Sequence, residues 1–425
     1  MKVKRILGLA LVGTLLLGAC AGGPDKSDKT DGNVMIAYDN LKNASVTSKG
    51  ALTIVDYKLK YQDFATGTTV YLCNKEGCIH NDMECDADVF DIQGQTAFFY
   101  DDQVYVIGLP NLEGFQLWKM NNDGTSRRKL IEKADGHGLV DMFVADNKVY
   151  YSAKEWYLEE RNKDLTADEG FGIVGMIDLD KNKAYTLWEG REDRYEIEKM
   201  IVRGDGLYFL AKHRSDDYKK VTDEVLSDPS LSEEERIIKL IEVQSECELT
   251  EKVYYIDGAS QKVEEKYSYS ATVGEPVSLC GVTSKGILMQ GKNGYFYTDN
   301  PEDAVYSGLT NIIATEKYVL GCDPASSEIS VYDCKTESLI SNAKIEPPED
   351  YFDIEETTET EGEYDGEIPD YSPQEEAERE WFLKRPFYSD NENLFFDFKD
   401  NLNVNVWILK VSELIEGKCI WHRGV

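Results

Sequence analysis

Three thiols and an imidazole fall in one short stretch: Cys73, Cys78, His80 and Cys85, spaced Cys-x4-Cys-x-His-x4-Cys. Thiolate sulfur and imidazole nitrogen are the donors that zinc takes in closed tetrahedral sites, so these four residues form a candidate Cys3His set, although the spacing is not that of a standard zinc knuckle. The residues Asn74-Lys75-Glu76-Gly77 make a four-residue turn. In a simple hairpin that turn places Cys73 directly opposite Cys78, side chains on one face and within bridging distance. His80, two residues past Cys78, then lies on the same strand face. Three states remain open for the cluster: a Cys73–Cys78 disulfide, which an exported location favours, reduced thiols, or bound zinc. No cofactor other than zinc is expected.

Elsewhere the chemistry is sparse. The four histidines are His80, His137, His213 and His422, and the chain has no His-Glu-x-x-His, Gly-x-Ser-x-Gly or P-loop pattern. His137, between two glycines, and His213, beside Arg214, read as loop residues. Asp178-x-Asp180-x-Asn182 with Glu189 imitates a calcium loop, but Lys183 stands where the sharp turn needs glycine, so a hairpin turn is expected. Carboxylates are abundant, yet no two are singled out as a glycosidase acid/base pair. Cys322 and Cys334 are poorly placed for a disulfide, because a turn centred between Ala325 and Ser326 pairs position 322 with 329. With 80 acidic against 46 basic residues and a net charge of -34, the surface would repel a polyanion, and nucleic-acid binding is excluded.

The elements that must position the cluster recur along the chain. A polar or glycine turn followed by an aromatic or aliphatic strand appears seven times, at Lys49–Leu52, Asp102–Tyr105, Asn147–Tyr150, Asp205–Tyr208, Lys285–Leu288, Glu316–Val319 and Glu392–Phe395. Asp123-Gly124 adds a strong hairpin signal. Alternation through Val55, Tyr57, Leu59 and Tyr61 against Asp56, Lys58, Lys60 and Gln62 predicts strands with one buried and one wet face. Two segments break the period. Residues 216–248 read as a helical insertion, with a capping box at Ser232 and Glu235 and an apolar stripe of Ile237, Ile238, Leu240, Ile241 and Val243. Residues 346–380 form an acidic loop insertion of 16 acids and one Arg. Without these insertions, residues 45–421 divide into units of roughly 44 residues, the length of a four-stranded propeller blade. The expected fold is all-β, a β-propeller of seven blades, with six or eight as alternatives. Val34–Tyr38 is expected to close the ring beside the last blade.

The N-terminus carries Lys2, Lys4 and Arg5, then an apolar run from Ile6 to Leu17, then Leu17-Gly18-Ala19-Cys20. That order reads as a signal peptide over residues 1–19 with a lipobox, so Cys20 is the expected lipidation site. Residues 20–44 are small and polar at their start and read as a flexible tether with a reach of roughly 25 to 30 Å. The expected location is extracytoplasmic, on the cell membrane through the lipid anchor, with a soluble body.

The propeller repeats, together with the Cys/His stretch of the first unit, resemble a group of clostridial surface lipoproteins with TolB-like β-propeller repeats. That resemblance implies a cell-surface propeller and carries over no catalytic residue. The functional expectation is therefore a membrane-anchored propeller that is not an enzyme and binds a protein or glycan ligand. The alternative is a carbohydrate-active propeller enzyme using paired carboxylates.

Overall fold

The computed structural model describes residues 35–39, 42–47, 49–81, 83–109, 114–134, 138–145, 147–156, 170–203, 206–323, 328–345, 388–389, 391–399 and 404–422. Cys20, the tether up to residue 34, His137 and the acidic insertion 346–380 lie outside these residues.

Seven small antiparallel sheets follow one another along the chain and form a seven-bladed β-propeller. The first holds β1 (Met35–Asp39), β2 (Lys42–Val46), β3 (Gly50–Val55), β4 (Lys58–Asp63) and β5 (Thr69–Tyr71). The second holds β6 (Gly94–Tyr100), β7 (Gln103–Gly108), β8 (Phe115–Asn121) and β9 (Arg128–Ala134). The third holds β10 (Gly138–Ala145), β11 (Lys148–Trp156), β12 (Gly170–Asp178) and β13 (Lys183–Glu189). The fourth holds β14 (Glu196–Arg203), β15 (Gly206–Arg214), β16 (Glu248–Asp257) and β17 (Val263–Thr272). The fifth holds β18 (Ser278–Val282), β19 (Ile287–Gly291), β20 (Gly294–Tyr297) and β21 (Asn300–Val305). The sixth holds β22 (Thr310–Ala314), β23 (Tyr318–Asp323), β24 (Glu328–Asp333) and β25 (Leu339–Lys344). The seventh holds β26 (Tyr388–Ser389), β27 (Asn393–Lys399), β28 (Val404–Lys410) and β29 (Trp421–His422). By packing the chain divides into two compact units, one built mainly on the first three sheets and the other on the last four.

All seven sequence repeats open the same strand, the second of the four that each blade repeats: β3, β7, β11, β15, β19, β23 and β27. The reason is register. Each repeat begins with a tight reversal after the first strand, and the alternating residues beyond it pack on both sides of the sheet. In the first unit, Leu52, Leu59, Val89 and Ile92 meet Ala97, Val104 and Val106 of the second sheet. Phe98, Tyr105 and Leu117 in turn meet Met142, Val149 and Tyr151 of the third. Similar layers join the fourth sheet to the fifth and the sixth to the seventh.

Several expectations change. Met35–Asp39 is not a strand of the last sheet. It pairs with β2, Met35 opposite Val46, as a fifth strand of the first sheet, and its backbone lies against β10. The seventh sheet has four strands of its own. The alternation through Val55 and Tyr57 is not continuous, because Asp56 and Tyr57 form the reversal between β3 and β4 with φ of 50° and 57°. Two successive positive φ values make a hairpin turn whose twist matches the strands, here without glycine. Nor is one face of β4 wet: Lys60 and Gln62 are buried along with Leu59.

The helical insertion is present as α1 (Asp216–Leu226) and α2 (Glu233–Ser245), between β15 and β16. Ser232 accepts a hydrogen bond from the Glu235 amide, and the Glu235 carboxylate accepts one from the Ser232 amide, the reciprocal capping box. The apolar stripe of α2 does not become core. Ile237, Ile238 and Ile241 are exposed, and the helix has no buried residue. A short helix α3 (Val411–Ile415) comes directly after β28 and packs Leu414 into the last apolar layer.

Candidate metal centre

The cluster sits where β5 ends. After Tyr71 the chain forms no further strand until β6, and this irregular segment is tied to the blade at its base. The Leu72 amide donates to the Leu59 carbonyl at 3.0 Å, and the Leu59 amide donates to the Ala87 carbonyl at 2.9 Å. One residue of β4 thus clamps both ends of the cysteine segment.

Within the segment three turns bring the donors together. The Cys78 amide donates to the Lys75 carbonyl at 3.2 Å, with Gly77 at φ 72° closing that turn. His80 itself takes φ 59°, a left-handed conformation that swings its ring back toward Cys85. The Asp88 amide donates to the Cys85 carbonyl at 3.0 Å. Convergence therefore comes from loop turns, and the expected hairpin with His80 on the same strand face as Cys78 is not formed. Donor atoms of Cys73, Cys78, His80 and Cys85 all lie within 4.8 Å of one another, the one such group of three or more among the described residues. His80 Nδ1 is 3.3 Å from Cys85 Sγ. The three cysteines are free thiols; Cys85 is buried, and Cys73 and Cys78 are half-buried.

The surroundings orient these donors. The His80 ring stacks on Tyr71 with centroids 4.4 Å apart and planes 20° from parallel, and the Lys60 ammonium lies 4.8 Å from the Tyr71 centroid. The second blade reaches over as well. Arg127 Nη2 donates to the carbonyls of Asp86 at 3.0 Å and Asp88 at 2.5 Å, while Nη1 donates to Asp91 Oδ1 at 2.9 Å. In the same hairpin Gly124 has φ 80°, and a Cβ there would stand 2.4 Å from the Asp86 carbonyl oxygen and 2.5 Å from that of Leu72. Only glycine allows that approach. Asp88, almost fully buried, pairs with Lys58 and accepts from the Phe90 amide at 2.9 Å.

Burial pushes the Cys85 thiol up to about 12. At Cys73 burial also opposes ionisation, but hydrogen bonds with the backbone at Lys75 and Asp86 and with the thiols of Cys85 and Cys78 outweigh it and hold the group below its ordinary value. A bound cation would reverse the Cys85 shift, since metal-bound thiols are deprotonated. The geometry fits zinc. At Zn–S of about 2.3 Å, tetrahedral sulfur–sulfur edges are about 3.8 Å. The observed spread needs a contraction of about 1 Å at its widest.

The remaining sequence candidates separate from this site. Asp178 accepts from the Lys181 amide at 2.9 Å and from its ammonium at 2.8 Å, as expected of a hairpin turn. Position 322 pairs with Ile329, as the turn centre predicts. His213 is not in a loop: it lies in β15 next to its last residue, opposite Thr250, with its ring 5.5 Å from that of Tyr195. His422 Nε2 lies 2.8 Å from Glu413 Oε2. One carboxylate pair shares a lysine, with Glu198 and Glu251 both on Lys212. Glu251 is 1% exposed and accepts from the Val277 amide at 2.8 Å, so no substrate reaches it in this conformation. Arg127 carries no signal in the sequence pattern; it belongs to the site through hydrogen bonds to residues about 40 positions earlier in the chain.

No family model matches the sequence, and no curated protein matches it. Among solved structures, an oligogalacturonate lyase in complex with manganese is similar with a TM-score of 0.39 and 9% identity, over 91% of this chain and 92% of that one. An acylaminoacyl peptidase from Pyrococcus horikoshii gives a TM-score of 0.40 and 9% identity over 90% of this chain and 52% of its own. Oligopeptidase B from Leishmania major gives 0.36 and 12% over 80% and 45%. The chain spans about half the length of these peptidases. The expectation of a chain that is not an enzyme is corrected by these neighbours: a lyase and peptidases carry similar folds, and lack of a sequence motif does not exclude catalysis. At such identities the likeness concerns the fold alone, and none of their activities passes to this chain.

Proposed function

We propose that this chain is an extracytoplasmic propeller, held at a membrane through a lipidated Cys20, which binds a protein or glycan ligand and whose first blade is stapled by a zinc ion on Cys73, Cys78, His80 and Cys85. The observation that carries the zinc reading is the convergence of three thiols and an imidazole within 4.8 Å in a segment without strand structure. Four protein donors fill a tetrahedral shell and leave no open position for water or substrate, which is the pattern of a structural ion. Its role is to hold the segment from Leu72 to Gln93 in one conformation, so that its exposed Ile79 and Met83 are presented at fixed positions. The order of basic residues, apolar run and Gly18-Ala19-Cys20 supports the anchor, and the acidic surface supports a partner that is not a nucleic acid.

Elemental analysis of the full chain, purified without added metal and under reducing conditions, tests the centre. One zinc per chain is expected, and folded protein free of metal overturns it. For the anchor, Cys20→Ala is expected to move the protein from the membrane fraction to the soluble one, and unchanged membrane retention contradicts lipidation.

A further inference from the structure

We propose that the zinc centre is a peroxide-sensitive switch, in which Cys73 and Cys78 are oxidised to a disulfide and the zinc ion is released while Cys85 stays a thiol. The proposal rests on the zinc reading and adds to it which thiols react and that their oxidation frees the ion.

The centre is asymmetric in access. Cys85 is 3% exposed and packs among Leu52, Leu59, Leu72 and Val89, whereas Cys73 and Cys78 are half-buried at the edge of that layer. A small oxidant from solvent therefore meets the Cys73 and Cys78 sulfurs and not that of Cys85. These two are also the pair joined by the shortest chain, with Asn74–Gly77 between them and a glycine at positive φ in the turn. No strand ladder includes either residue, so the few ångströms that separate thiol contact from a sulfur–sulfur bond of about 2.05 Å can be taken up in the turn without breaking the sheet.

The step balances with one peroxide. A thiolate of the pair attacks the peroxide oxygen: a sulfur–oxygen bond forms, the oxygen–oxygen bond breaks, and the departing hydroxide leaves as water. The second thiolate attacks the resulting sulfenic acid, forming the sulfur–sulfur bond and expelling hydroxide, which takes a proton to give a second water. Two thiolates are oxidised by two electrons in all and one peroxide is reduced. Zinc keeps its oxidation state. It loses two of its four donors and is left with His80 and Cys85, a set too small for a structural site. Zinc-bound and disulfide-bonded forms are then two states of one centre, and a dithiol reductant plus zinc restores the first.

The test uses the full chain carrying one zinc. Hydrogen peroxide is titrated in the presence of a colorimetric zinc chelator, thiols are counted, and peptides are mapped by mass. The expected result is release of one zinc per chain together with loss of two thiols, a two-hydrogen mass loss mapped to the peptide pair holding Cys73 and Cys78, and recovery of zinc binding after dithiothreitol and added zinc. A Cys85→Ser variant is expected to form the same disulfide. Protein that carries zinc but keeps it until Cys280 or Cys419 has been oxidised overturns the switch and leaves the zinc reading intact, as does a disulfide that maps to Cys85. Protein that binds no zinc at the outset overturns both.

Discussion

Two described segments outside the blade strands, one irregular and one helical, are held by different means. The segment from Leu72 to Gln93 has no regular structure, yet Cys85, Ala87, Val89 and Ile92 are buried, and Leu59 and Lys58 of β4 and Arg127 of the turn before β9 fasten its backbone and side chains. The insertion α1–α2 is regular and α2 carries a capping box, yet α2 has no buried residue and exposes three isoleucines. Local regularity and tertiary attachment are thus separate properties. A helix can satisfy its own backbone and still rest lightly on its blade, while an irregular loop must be pinned residue by residue to have one conformation. Of the two, only the pinned segment brings metal-binding donors together.

The largest expected effect comes from the blade residue that clamps the loop. Leu59→Ala removes a fully buried side chain and should cost about 2–5 kcal/mol in denaturant unfolding. Its backbone bonds to Leu72 and Ala87 survive the change, so zinc stoichiometry should stay at one. Loss of zinc together with stability would show that the loop geometry depends on side-chain packing alone.

Next is Arg127→Ala, which leaves the carbonyls of Asp86 and Asp88 without their charged donor and should cost about 2 kcal/mol. Chelator competition should show weaker zinc retention, and hydrogen exchange should rise in the cysteine segment but not across the second sheet. Ser232→Ala, in contrast, should cost about 1 kcal/mol. Faster exchange confined to the first turn of α2 is the expected reading, with no change at the cysteines. Ile238→Ser should be nearly silent, within about 0.5 kcal/mol, because the side chain is exposed. A large destabilisation there would mean that the helix face is covered in solution, and the contrast between the two segments would fail.

Legibility in the sequence divides along the same line. Repeats show in the sequence because each blade reuses one register, with a reversal and then alternating apolar residues, so seven occurrences map onto seven second strands. The capping box at Ser232 and Glu235 is equally local and equally readable. The four donors are identifiable by type, but the means of their convergence is not. A hairpin is the simplest way to put Cys73 near Cys78, whereas the chain instead uses a left-handed His80 and support from Leu59, Tyr71 and Arg127. Tyr71 stands two residues before Cys73, but Leu59 and Arg127 come from β4 and the turn before β9, and no short-range pattern links them to the donors. The exposure of α2 is hidden for a related reason: an apolar stripe at helical spacing states what a helix can bury, not that a surface is there to receive it.

X-ray absorption at the zinc edge, on full chain purified under reducing conditions without added metal, tests the central claim most directly. A Cys3His centre predicts a shell of three sulfurs at about 2.3 Å and one nitrogen at about 2.0 Å. A shell made only of oxygen and nitrogen, or protein that carries no zinc, would contradict it.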